Sequence, residues 1–299
     1  MFGQSFNGKV TMKTMKVTYC MIGMAALLIM PSSCVKDDLF NTPHPDEGAV
    51  VVKADFSARS ASADVPAEYL LLHTCCGTES PRSMPSAETK CFPELFNPGK
   101  HTFHAWNSCD KMTVTGDMIN VNATAPGKIE PMPGYLFTAR QEIDIIQDDT
   151  TRINLQMAQR TRDLRFELTV TEGDPELIAS VSGTLSGIAG TFSLAGQKIT
   201  GDASSAVISF VRDGGEITAD ARLLGIIGTG QSLELEVRFT DRPDIHRVSV
   251  DLEEALSGFN DNMTTTRKIT GNLETPIGMD ATATITGWKD VEGDQAEAK

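Results

Sequence analysis

A group of side chains suited to metal chemistry crowds the first half of the chain: His73, Cys75, Cys76, Cys91, His101, His104 and Cys109. Thiolate and imidazole are the donors of structural and catalytic zinc sites. The spacing argues against that chemistry. There is no C-x-x-C pair, and residues 101 and 104, three apart on a strand, point to opposite faces. Disulfides or buried thiols are the simpler reading, with Cys75, Cys76, Cys91 and Cys109 as the candidate set. Four cysteines allow three connectivities, and the spacing does not choose among them. The reading calls for no metal and no other cofactor.

Other catalytic signatures are also missing. The chain has neither G-x-S-x-G nor H-E-x-x-H, the motifs of an activated serine and of a zinc hydrolase. The glycines of Gly225-Ile226-Ile227-Gly228-Thr229-Gly230 are misspaced for a dinucleotide loop and read as a turn between strands. Glu234 and Glu236 are a carboxylate pair of the kind glycosidases use, but they fall on the polar face of a strand in a chain with 40 acidic residues. Trp106 and Trp288 are the only tryptophans, and aromatic content is 6%, too sparse for a carbohydrate platform. The sequence therefore reads as non-enzymatic.

The residue with the clearest chemistry is Cys34. Lys9, Lys13 and Lys16 precede the apolar run Met21–Met30. That run is shorter than the roughly 18 residues of a membrane span and is followed by small residues, as in a cleaved signal peptide. Met12 or Met15 gives a more ordinary start to such a signal than Met1. Pro31-Ser32-Ser33-Cys34 resembles the lipobox of bacterial lipoproteins, in which lipid is attached to the cysteine sulfur and the chain is cleaved before it. Pro31 replaces the usual aliphatic residue. Lys36, Asp37 and Asp38 resemble the surface-export signal of Bacteroidetes lipoproteins. Asp149-Thr150-Thr151 resembles the O-glycosylation sequon of the same bacteria, with Thr150 as acceptor. The formal net charge is −14, and removal of the signal takes away lysines but no acids. Such a surface repels phosphate backbones, so nucleic acid is not an expected partner.

The elements that would position these residues are strands. Val50, Val52, Ala54 and Phe56 alternate with Lys53 and Asp55. Leu164, Phe166, Leu168 and Val170 alternate with Asp163, Arg165, Glu167 and Thr169. Leu233, Leu235, Val237 and Phe239 alternate with Glu234, Glu236 and Arg238. Period two is the signature of a strand with one buried face, and a one-residue slip would expose every apolar group. Asp213-Gly214-Gly215 is a hairpin turn. Helical patterning is limited to a turn or two at Leu252–Leu256. The fold class is all-β, antiparallel sandwiches. The expected division is a signal peptide at 1–33, a lipidated linker at 34–48, an N-terminal sandwich at 49–158, a C-terminal sandwich at 159–288 and a disordered acidic tail at 289–299.

Several segments carry a family resemblance. They are the strand Val50–Phe56, Pro98-Gly99-Lys100 leading to Trp106-Asn107, and Pro133-Gly134-Tyr135-Leu136-Phe137. The others are the join Ile153–Met157 into Arg162–Val170, the run Ala179–Ala189, and Ile285-Thr286-Gly287-Trp288. Together they resemble the FimB/Mfa-type fimbrium-anchoring or accessory lipoproteins of Bacteroidetes, of the fimbrillin-like superfamily. The resemblance implies two tandem transthyretin-like Greek-key sandwiches and an outer-membrane location through a lipid anchor. It implies fimbrillin-like pilus subunits as partners, joined by strand exchange. The charged segment after Trp288 lacks the apolar alternation of a donor strand, so the expected contact is a sheet edge. A surface glycan-binding lipoprotein is the alternative.

Overall fold

The computed structural model describes residues 45–74, 80–275 and 283–292. They are built from strands, with one 3-10 turn at Pro175–Leu177. Asp174 caps that turn by accepting the Glu176 N–H. At Leu252–Asp261 the chain makes a series of turns, Leu256 N–H donating to Leu252 O at 2.9 Å. These turns bury Leu252, Leu256 and Phe259.

The first strands are β1 (Ala49–Asp55), β2 (Glu68–Thr74), β3 (Arg82–Pro85), β4 (Lys90–Cys91) and β5 (Gly99–Trp106). Two short hairpins follow, β6 (Met112–Thr115) with β7 (Met118–Val121) and β8 (Ala123–Ala125) with β9 (Lys128–Ile129). Then come β10 (Phe137–Ile145), β11 (Thr150–Gln156) and β12 (Ala158–Gln159). The second half holds β13 (Arg162–Glu172), β14 (Ile178–Ser193), β15 (Lys198–Asp213) and β16 (Glu216–Leu223). It ends with β17 (Ser232–Phe239), β18 (Ile245–Asp251), β19 (Arg267–Glu274) and β20 (Thr284–Glu292).

The period-two residues face inward as expected. β13 buries Leu164, Phe166 and Leu168, and β17 buries Leu233, Leu235, Val237 and Phe239. The hairpin at Asp213–Glu216 joins β15 to β16, with Gly214 at φ 58°, a conformation a side chain would strain.

A three-stranded sheet of order β11-β1-β4 and a five-stranded sheet of order β12-β10-β5-β2-β3 enclose one core, which includes Val50, Val52, Leu71, Phe103, Phe137 and Leu155. A larger sheet has the order β18-β17-β14-β15-β16-β13-β19-β20. It wraps a second core around Leu164, Phe166, Leu185, Leu233, Leu235 and Phe259. β15 makes the wrap possible: most of its length pairs with β14, and Val211–Asp213 turn to pair with β16. The all-β sandwich class holds, and most pairings are antiparallel. Two long pairings are parallel, β1 with β11 and β13 with β19.

Three features depart from a simple reading of the pattern. The hairpins between β5 and β10 join the second sheet: β7 pairs with β14, and β9 meets β15 at Ser205 and Lys128. Ile119, Val121 and Ile129 thereby enter the second core. β5 is buried on both faces, Phe103 and Ala105 in the first core and Trp106 in the second. Finally, Lys289–Glu292, expected to be disordered, belong to β20, where Lys289 pairs with Thr270 and Asp290 with Ile269. An edge strand needs only backbone partners on one side and tolerates charge on its outer face. Arg267 reinforces the pairing by reaching Asp290 at 2.7 Å. Tail residues 293–299 lie outside the described residues.

Candidate docking surfaces

Cys34, Lys36, Asp37, Asp38, Cys75 and Cys76 lie outside the described residues. Cys91 is an exposed free thiol on β4, and Cys109 is a free, partly buried one. The Cys109 thiol donates to Tyr135 O at 3.2 Å, and burial pushes it up to about 12. Thr150 opens β11 with an exposed side chain; its N–H donates to Asp149 Oδ1 at 2.6 Å.

The histidines separate by face. His101 Nε2 donates to Asn97 O at 2.7 Å, since a carbonyl can only accept. In the neutral ring His101 Nδ1 is then an acceptor, so His73 Nε2 donates across their 2.7 Å contact. Phe96 and Phe103 pack around the His73 ring. His104 faces the other way, toward the second core. Among the described residues no three His, Cys, Asp or Glu side chains are grouped to hold a metal. Glu236 is engaged by Arg247 at 2.9 Å, while Glu234 is exposed on β17.

Where the first core gives way to the second, the chain is held by polar contacts that sequence patterning does not reveal. Tyr135 OH donates to Asp163 Oδ2 at 2.5 Å, and Ser62 Oγ also reaches that oxygen, at 3.3 Å. Arg222 Nε donates to Asp163 Oδ1 at 2.7 Å. Burial first, then the bond to Asp163, pushes the Tyr135 phenol up from its usual value. Gln159 Oε1 accepts from Ser60 N–H, and its Nε2 donates to Thr161 O and Met263 O. Arg162 donates to Thr265 O and Phe259 O. Charged and amide groups so engaged fix a single arrangement, because breaking one leaves a partly buried group unpaired.

The surfaces that can add a strand are the sheet edges, which carry unpaired N–H and C=O groups. Among the described residues β11 pairs with β1 alone, β18 with β17 alone and β20 with β19 alone. β20 is guarded by Lys289 and Asp290 and by a register shift beside Gly287, whose φ is 65°. β18 carries Arg247 outward but is otherwise regular from Ile245 to Asp251. β11 is regular across its seven residues, with Ile153 and Leu155 inward.

The same architecture occurs in solved structures. The fimbrial anchor protein Mfa2 from Porphyromonas gingivalis matches with a TM-score of 0.60 and 13% identity, over 83% of this chain and 98% of that one. A candidate adhesin from Bacteroides ovatus matches with a TM-score of 0.59 and 12% identity, over 86% and 98%. A candidate polysaccharide-binding protein from Bacteroides thetaiotaomicron matches with a TM-score of 0.56 and 11% identity, over 83% and 99%. No curated protein matches the chain. The two sets of sheets, each enclosing a core, make this a β-sandwich protein. The chain belongs to the family of fimbrillin-A associated anchor proteins Mfa1 and Mfa2, whose model matches residues 85–293. Its role is that of a fimbrial accessory protein.

Proposed function

We propose that the protein is a surface-displayed lipoprotein that holds or caps a fimbrium at the outer membrane, in contact with fimbrillin-like subunits. The family match across residues 85–293 carries this reading. Cys34 bears the lipid, the linker through residue 48 gives reach from the membrane, and Lys36, Asp37 and Asp38 direct display. The body divides near residue 159 into two domains, the first from residue 49 and the second running on through β20, with β6–β9 of the first half packed onto the second. Thr150, exposed at a strand start, is the O-glycan acceptor. The pilus subunit is bound through an open sheet edge, β18 or β11, where backbone pairing supplies affinity and alternate side chains supply selectivity.

Deletion of the whole gene is expected to shed or lengthen fimbriae. Removal of residues 293–299 alone, which spares β20, is expected to leave them attached. Loss of attachment on that short truncation would make the tail the donor, and normal fimbriae in the full deletion would remove the anchoring role. Cys34→Ala is expected to release the protein or leave an unprocessed precursor, and unchanged mass and fractionation would count against lipidation.

The second reading is glycan binding, favoured by the likeness to the Bacteroides thetaiotaomicron protein described in those terms. Retention on a polysaccharide column, with no co-purifying fimbrial subunit, would select it.

A further inference from the structure

β18 is an open edge of the large sheet, and its sequence is complementary to itself. Ile245–Asp251 pairs with β17 along one side without a bulge. Arg247, Ser249 and Asp251 alternate on the exposed face, and Val248 and Val250 are buried on the other. A regular strand with a free row of N–H and C=O groups is a template for a further strand. Which strand it suits depends on the side chains that then stand opposite each other.

Two of those side chains have unused capacity. The Arg247 side chain is 69% exposed, and both its Nε and its Nη2 turn to a single oxygen, Glu236 Oε1, at 3.0 and 2.9 Å. Its Nη1 meets no carboxylate among the described residues. Asp251 Oδ1 accepts the Glu253 N–H at 2.9 Å, and among the described residues no cation pairs with this carboxylate. Arg247 and Asp251 lie two residues before and two residues after Ser249, hence on one face.

That symmetry selects a partner. When two antiparallel copies of β18 pair about a two-fold axis at Ser249, Arg247 of each stands opposite Asp251 of the other. Val248 stands opposite Val250 in the same way, so the apolar inner face continues across the junction. Ser249 meets its own copy, and two hydroxyls can share a hydrogen bond. Registers centred on the neighbouring residues lose the match. Centring on Arg247 or Asp251 opposes like charges, and centring on Val248 or Val250 sets Asp251 against Ile245 or Ser249.

The other edges lack this match. The outward face of β11 carries Thr150, Arg152, Asn154 and Gln156, a cation with no acid. β20 breaks its register beside Gly287. β3 ends on Pro85, which has no N–H to donate. β4, β6, β8 and β12 span four residues or fewer.

We propose that β18 docks a second copy of this chain, by antiparallel pairing about Ser249 with two Arg247–Asp251 contacts across the junction. The dimer is isologous and closed, so it covers this edge and does not grow into a filament. A copy seated on β18 leaves β11 for a fimbrial subunit, but the pairing itself does not rest on the fimbrial reading.

The test is sedimentation velocity of the full chain in detergent, as wild type, Arg247→Asp and Asp251→Arg, and as an equimolar mixture of the two variants. Wild type is expected to show a concentration-dependent monomer–dimer equilibrium below about 100 µM. Each reversal alone sets like charges at both contacts and is expected to weaken dimerisation at least about tenfold. The mixture sets acid against base at both contacts, so a one-to-one heterodimer is expected to form about as tightly as the wild-type dimer. All samples share residues 1–44, so association through that segment would be equal in them. A wild type that stays monomeric overturns the proposal and frees β18 for a strand of another protein. Equal association in wild type and both single variants overturns it too, and so does a mixture no more associated than its parts.

Discussion

Arg222 lies with its guanidinium carbon 3.5 Å from the centre of the Tyr135 ring, while its Nε holds the same Asp163 that the Tyr135 hydroxyl reaches. The two residues come from the segment entering β10 and from β16. They close a ring of cation, aromatic face and carboxylate where the two cores meet.

That ring predicts non-additive stability. Arg222→Ala leaves Asp163 partly buried without its cation and is expected to cost about 2–4 kcal/mol. Tyr135→Phe removes one hydrogen bond and is expected to cost about 1 kcal/mol. In urea unfolding the double variant should lose less than the two single losses combined, with a coupling of about 0.5–3 kcal/mol. Additive losses would mean that the three groups act independently.

The facing of β17 is tested by neighbouring residues. Leu235 is fully buried and Glu234 is exposed. Leu235→Asp places an unpaired charge in the second core, and a loss above about 4 kcal/mol is expected. Glu234→Lys should change stability by no more than about 0.5 kcal/mol. Similar melting shifts for the two would show the strand facing to be misassigned.

Alkaline pH should weaken the fold through Tyr69. Burial alone pushes its phenol from 10.0 up to about 12. Below pH 10 both folded and unfolded chains keep the proton. Between pH 10 and about 12 only the unfolded chain releases it, so stability falls as pH rises through that window, by no more than roughly 2 kcal/mol once solvent screening is allowed for. Tyr69→Phe should flatten the decline. An unchanged alkaline limb in the variant would assign the loss elsewhere.

The two described thiols should differ in reactivity. Under reductant at pH 8, iodoacetamide should label exposed Cys91 in the native protein and spare Cys109 until denaturant is added, because thiolate is the reactive form and burial holds the Cys109 thiol at about 12. Mass spectrometry of the native and denatured digests distinguishes them, and equal native labelling would place Cys109 in an open environment.

By itself the sequence determined which residues face inward along β1, β13 and β17, because period two reports one-sided burial wherever a strand has a single wet face. It also placed His101 and His104 on opposite faces and located the Asp213–Glu216 turn, since both depend on neighbours in the chain. The acidic composition of the tail, however, was a poor guide at Lys289–Glu292, where backbone pairing with β19 outweighs side-chain charge. Only the tertiary structure decided that β1 and β13 take parallel partners and that the β6–β9 hairpins join the second sheet. It alone buried both faces of β5. Tyr135 and Arg222 meet at Asp163 across 28 and 59 residues of chain. Periodicity records the environment along one strand; which strands become neighbours is set by burying all their apolar faces at once, and that is a property of the whole chain.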